Sequence, residues 1–331
     1  MAVDKVRVYI TVDTETSMGG AWRNPEYSPL PLERPVFGKL GTEFYGIPLI
    51  MDILGQHGFK ATFFTEVFCA PVVGRDQVAR VFDTILSRGH DPQLHLHPTY
   101  RFYRDFLDGK PRRETDLMFQ LPAEEQRQLI GEGIGLFKEL SGRLPCAFRA
   151  GCYGAAESTL AALRDNGITI DSSYNLAYLD YTCGFRVRPL NAPVRIEGVY
   201  EFPVTVFRVP GSAGYKPLEI SAVSVGEIVS TINCLRTAGC QDVVLVLHSF
   251  GLLKNLGTRY ENCRPDRIVI QRMRNLCAAL SRMGSEVQVM VFGELDLKSV
   301  PEAQPQVIPS LGLWKPVIRK FVQGMNRLPW L

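Results

Sequence analysis

The feature that most constrains this chain is an alternation of two kinds of segment. Short apolar runs fall at 6–12, 61–65, 94–96, 147–149, 168–171, 243–247 and 287–292. Between them, segments with helical patterning fall at 45–57, 77–88, 123–141, 158–166, 225–238 and 264–283. Several of the runs are almost continuously apolar, as strands covered on both faces must be. The helical segments stop at Gly58, Gly89, Gly142, Gly167, Gly239 and Gly284, the residue that closes a helix in the left-handed conformation. Strand followed by helix, repeated, predicts an α/β fold with a parallel sheet, open or closed.

Two segments break the rhythm. Residues 18–41 are rich in Pro and Gly and read as a long loop after the first strand. Residues 174–217 are irregular, with short β-like pieces, and read as an inserted hairpin or lid. Loops that follow strands are where such folds place specificity. The expected plan is one barrel over 1–300 and a Pro-containing linker with a terminal helix over 301–331.

Composition removes several classes of function. Hydrophobic residues make up 46% and charged residues 21% of the 331, ordinary values that exclude a disordered or coiled-coil chain. A net charge of +3, with no nucleic-acid-binding motif, argues against a nucleic acid partner. The N-terminus lacks the basic head and apolar run of a signal peptide, and no apolar stretch reaches spanning length, so a cytoplasmic location is expected. The eight cysteines form no CxxC pair and read as free thiols in a reducing compartment.

Histidine is scarce, and its placement is informative. Of five histidines, three are His90, His95 and His97. If 94–96 is a strand, His95 and His97 project from one face, because strand side chains repeat every two residues. Two imidazoles placed so can converge on one cation. Asp13 and Glu15 have the same offset at the end of the first strand, and His248 ends another apolar run. In a barrel of parallel strands these ends share one mouth. Each group has a plainer reading: Asp13 as a turn cap, His248 as a structural residue, the paired histidines as half-buried hydrogen-bonding groups. Packing does not readily explain all of them at several strand ends together. Other metallohydrolases also carry an HxH pair, but on the first strand, which here carries Asp13 and Glu15 instead.

In sum these motifs resemble the NodB-like polysaccharide deacetylases, carbohydrate esterase family 4. Thr11-Val12-Asp13-Thr14-Glu15 is similar to the family's opening acidic motif, and Gly58-Phe59-Lys60-Ala61-Thr62-Phe63-Phe64 to its second strand. Gly89-His90 through His95 and His97 resembles its histidine motif. Phe148-Arg149-Ala150-Gly151-Cys152-Tyr153-Gly154 resembles its arginine motif, and Asp171-Ser172-Ser173 and Leu245-Val246-Leu247-His248 its last two. The likeness runs from about residue 6 to 250.

The resemblance implies a distorted (β/α) barrel of parallel strands holding a divalent metal, ordinarily zinc, with manganese, cobalt or nickel also suited to the ligands. It implies Glu15, His95 and His97 as metal ligands. It further implies Asp13 as catalytic base, Arg149 as its partner, His248 as general acid and Asp171 as the carboxylate supporting that acid. The activity implied is removal of an N-acyl group, acetyl above all, from an amino sugar in a polysaccharide or lipid-linked saccharide. Three positions depart from the family pattern. Thr99 stands where the second metal histidine is usual, so His97 substitutes. The metal carboxylate is a glutamate. The arginine motif has one extra residue before Tyr153. A metal-dependent phosphoesterase and an inactive carbohydrate-binding barrel are the alternatives.

The segment 311–331 carries Trp314, Val317, Ile318, Phe321, Val322, Met325 and Leu328 at helical spacing, and its charged residues Lys315, Arg319, Lys320 and Arg327 are all positive. It reads either as a helix docked on the barrel or a partner subunit, or as a basic amphipathic helix in peripheral contact with an anionic membrane.

Overall fold

The computed structural model describes residues 5–209, 214–255 and 257–312. The amphipathic pattern of 313–331 lies outside them. Among the described residues no helix is long and apolar enough to cross a membrane.

The alternation builds one curled, nine-stranded sheet. Its parallel strands are β1 (Val6–Thr14), β2 (Thr62–Glu66), β3 (Asp91–Leu96), β4 (Ala147–Ala150), β5 (Ile170–Asp171), β6 (Val199–Glu201), β7 (Asp242–His248) and β8 (Val287–Met290). The order is β7-β1-β2-β3-β4-β5-β6, with β8 also along β1. Val194–Ile196 pairs antiparallel with β6 at the edge. Strand pairing leaves a gap between β6 and β7. The Thr205 N–H donates to Val244 O at 3.2 Å, and Ile220 N–H to Val246 O at 2.8 Å, so two irregular segments bridge the gap. The result is a distorted (β/α) barrel.

The longer helices are α1 (Ile47–Gly55), α2 (Arg75–Ser87), α3 (Pro98–Leu107), α4 (Ala123–Ser141), α5 (Glu157–Asp165), α6 (Val225–Thr237) and α7 (Arg267–Met283). Gly58, Gly89, Gly142, Gly167, Gly239 and Gly284 all have positive φ, as the helix-stop pattern requires. α6 opens on a reciprocal cap in which Ser224 N–H donates to Glu227 Oε2 at 2.8 Å. The sequence pattern missed α3. Pro98 occupies its first turn and Tyr100, Phe102 and Tyr103 are buried. Proline there is favourable because its missing N–H would have no helical partner anyway.

The strands separate two environments residue by residue. Along β1, Val6, Val8, Ile10 and Val12 pack in the large core against the helices, whereas Tyr9 packs inside the barrel with Phe64, Phe202 and Phe292. Thr11 and Asp13 therefore share the interior face with Tyr9. On β7, Val243, Leu245 and Leu247 face the helices and Val244 the interior, which puts His248 on the interior side. Leu94 and Leu96 face the helices, so His95 faces inward.

The segment 174–217 is only partly an insertion, since Val199–Glu201 joins the sheet as β6. A second hairpin pairs Val206–Arg208 with Tyr215–Pro217. The segment 18–41 is mostly irregular, as its composition predicts. It is tied to the rim by Arg259 Nη1, which donates to Gly19 O at 2.6 Å.

Candidate active site

The carboxyl ends of β1, β3, β4 and β7 bring Asp13, Glu15, His95, His97, Arg149 and His248 together. In the sheet register Asp13 lies beside His248, and His95 beside both Glu66 and Arg149.

The first group is Glu15, His95 and His97. His95 Nδ1 lies 2.7 Å from the Arg149 carbonyl oxygen. A carbonyl only accepts, so Nδ1 carries a proton, and Nε2 is the nitrogen that faces Glu15. That Nε2 is 3.2 Å from Glu15 Oε2. His97 is arranged in the same way. Its Nδ1–H donates to Asp116 Oδ2 at 2.6 Å, and its Nε2 contacts the same Glu15 Oε2. Burial alone would raise the Glu15 carboxyl, but the facing imidazoles of His97 and His95 outweigh it and hold the group well below the usual carboxylate range. Burial likewise opposes charge on His97, yet Asp116 and Glu15 carry it well above the usual imidazole range. Two imidazoles and a carboxylate thus converge through Nε2, Nε2 and Oε2, with both Nδ1–H groups held from behind. This is the donor set of a borderline divalent cation with its orienting acceptors in place. The residues fit the metal that the sequence motifs imply.

His97 sits at the junction of β3 and α3 in extended conformation, so the two-residue alternation carries past the strand's end. Gly151 packs on its ring, and a Cβ there would lie 2.5 Å from Nδ1.

The second group is Asp13 with Arg149. Arg149 is fully buried. Its Nη1 donates to Asp13 Oδ1 at 2.6 Å and to Thr11 Oγ1 at 2.8 Å. Its Nε donates to Ser172 O at 2.8 Å and its Nη2 to Ser172 Oγ at 2.9 Å, while the Phe64 ring lies 4.3 Å below the guanidinium. A buried guanidinium held by four such bonds is fixed in place and keeps its carboxylate partner fixed.

The third group is His248. Its Nε2 is 3.9 Å from both Asp13 Oδ2 and Glu15 Oε1, and its Nδ1 is 4.0 Å from Glu219 Oε1. A quarter of the side chain is exposed, so it borders both the buried carboxylates and solvent.

Asp171 corrects the sequence reading. Ile170 packs inside the barrel, so Asp171, one residue on, faces the helix layer and does not meet His248. It accepts from Ser173 Oγ at 2.7 Å and lies in register with Glu201. Burial, and then the neighbouring Asp171, push Glu201 well above the usual carboxylate range; burial also raises Asp171. Glu201 thus holds its proton to a higher pH than an ordinary carboxyl. Through Ser173 Oγ, which donates to Asp171 and accepts from Ala150 N–H at 2.9 Å, the pair braces β4 next to Arg149. The carboxylate that does stand behind His248 is Glu219.

Sequence reasoning missed Asp116, Glu201 and Glu219. The first lies in a charged loop and the last beside the β6–β7 gap, with no periodicity to mark either. It also gave no sign of the turn geometry at Cys152 and Tyr153, non-glycine residues with φ of 54° and 58°. Strain of this kind persists where the surroundings enforce it, frequently at functional sites.

No protein-family model matches the sequence, and no curated protein matches it. Solved structures do match. A protein from Mycobacterium smegmatis named as a polysaccharide deacetylase aligns over 98% of this chain and 93% of its own, with 17% identity and a TM-score of 0.54. A 4-alpha-glucanotransferase from Thermococcus litoralis aligns over 97% of this chain and 46% of its own, with 12% identity and a TM-score of 0.53. A family 4 carbohydrate esterase from Streptomyces lividans, solved with acetate, aligns over 93% of this chain and 100% of its own, with 12% identity and a TM-score of 0.44. The chain has the distorted barrel of the polysaccharide deacetylases. A glucanotransferase shares that architecture, so the chemistry has to be argued from the side chains.

Proposed function

We propose that this chain is a metal-dependent hydrolase that removes an N-acyl group, acetyl foremost, from an amino sugar. One observation carries the reading. Glu15, His95 and His97 converge on a single point with their Nδ1–H groups tied back, beside a buried Asp13–Arg149 pair and a solvent-edged His248.

Glu15, His95 and His97 would hold the cation, with zinc the first choice. When bound, a divalent cation polarises an acyl carbonyl and makes a coordinated water acidic. Asp13 is the base. Arg149 keeps it aimed through Oδ1, and leaves Oδ2 free to accept a proton from the attacking water. His248 stands on the other side of Asp13, open to solvent, where it protonates the departing amine, with Glu219 behind its Nδ1. An amine needs that proton to leave. The backbone N–H groups of Cys152 and Tyr153 are fixed donors for the negative charge that develops on the acyl oxygen.

The test is acetate release from a panel of N-acetylated amino sugars, with metal content measured on the same preparation. Release that depends on the metal and is lost in Asp13→Asn supports the proposal. Phosphatase activity with no amide hydrolysis would point to a phosphoesterase, and saccharide binding without turnover to an inactive relative.

A further inference from the structure

A second set of metal-binding atoms lies on the opposite edge of the His97 ring. His97 Nδ1, Asp116 Oδ2 and Cys152 Sγ all fall within 4.8 Å of one another. Asp116 Oδ2 is 2.6 Å from Nδ1 and 3.6 Å from Sγ. This set shares the His97 ring with the first but uses the other nitrogen, so the two do not compete for a ligand atom. Unlike the first, it contains sulfur.

We infer that His97, Asp116 and Cys152 form a second cation position, selective for thiophilic divalent ions such as zinc, cobalt or cadmium. The inference rests on the reading of Glu15, His95 and His97 as the first position. Binding replaces the Nδ1–H···Oδ2 hydrogen bond with bonds from the cation to Nδ1, Oδ2 and Sγ. The protons on Nδ1 and Sγ pass to solvent, so two positive charges leave as one dication arrives.

The surroundings can accommodate this. Asp116 belongs to the irregular segment between α3 and Met118, and its side chain is 25% exposed. Cys152 is exposed and sits in the left-handed turn after β4. Both ligand atoms can move apart without disturbing a strand. The thiolate sets the selectivity: zinc, cobalt and cadmium accept sulfur, whereas manganese and magnesium prefer oxygen.

Titration of the full-length chain with cobalt, followed by absorption, tests this. The first equivalent should give ligand-field bands only. The second should add a near-ultraviolet thiolate-to-cobalt charge-transfer band. Cys152→Ser should bind one equivalent and show no such band, and manganese should bind one equivalent to either protein. Absence of the charge-transfer band from the unmodified chain at saturation overturns the inference, and so does a band that persists in Cys152→Ser. His95→Ala separates this reading from the earlier one. Loss of the ligand-field equivalent with the thiolate band retained supports two positions, and loss of both signals together overturns the second position as a separate site. A first equivalent that His95→Ala leaves unchanged counts against Glu15, His95 and His97 as the first position.

Discussion

Replacing Glu201 with glutamine isolates the buried carboxyl pair from everything else in the barrel. Glu201 and Asp171 are both fully buried, and Glu201 is held well above the usual carboxylate range by burial and by Asp171. The folded chain therefore keeps the Glu201 proton to a higher pH than the unfolded chain, where the group ionises above about pH 4.3. Folding takes up a proton across that window, so stability falls as pH rises, by up to about 1.4 kcal/mol per pH unit for one proton. Glutamine matches the protonated acid in shape. Its amide N–H donates to Asp171 and its oxygen can still accept from Tyr174 N–H, a bond of 3.0 Å in the native chain. Glu201→Gln should equal the unmodified protein in urea unfolding near pH 4.5 and exceed it progressively at higher pH. Parallel pH profiles for the two proteins would refute the raised Glu201 carboxyl.

Four further outcomes follow from the site. His95→Ala should lose the bound divalent metal, checked by elemental analysis, because it removes an Nε2 ligand whose neighbours cannot replace it. Asp13→Asn and His248→Ala should keep both fold and metal but lose amide hydrolysis by at least about a hundredfold, the scale of general acid–base assistance, measured as acetate release. Asp116→Asn should weaken metal binding about 10–100-fold by removing the carboxylate behind His97, read by competition with a chelator. Gly151→Ala should cost about 1–3 kcal/mol in thermal or urea unfolding and displace His97, because the new Cβ would lie 2.5 Å from Nδ1.

The scaffold was more legible in the sequence than the supports of the site. The glycine stops after the helices and the apolar runs between them reflect local requirements, positive φ and two-sided burial, which a single sequence displays. The pairing of His95 with His97 was legible for the same reason, because a period of two is local. The role of Asp171 was implied by motif likeness alone, and β5 spans only two residues, Ile170 and Asp171, too few to reveal by alternation which face each occupies. β6 was hidden inside 174–217 because three residues flanked by irregular chain carry little periodicity. Asp116 and Glu219 reach the histidines through tertiary folding alone, 19 residues from His97 and across the β6–β7 gap respectively, so no local pattern marks them.

The alternation along β1 also makes its length as restrictive as its composition. Val8, Ile10 and Val12 face the helices, while Tyr9, Thr11 and Asp13 face the interior. Deleting or inserting one residue between Val6 and Thr11 would exchange the two sets downstream or force the whole strand to slide. The carboxylate that meets Arg149 would then be driven among aliphatic side chains, and a valine would take its place beside the guanidinium. Changes of length are therefore expected to be tolerated in 18–41, where the chain is irregular, and excluded from β1 even where each individual substitution is mild.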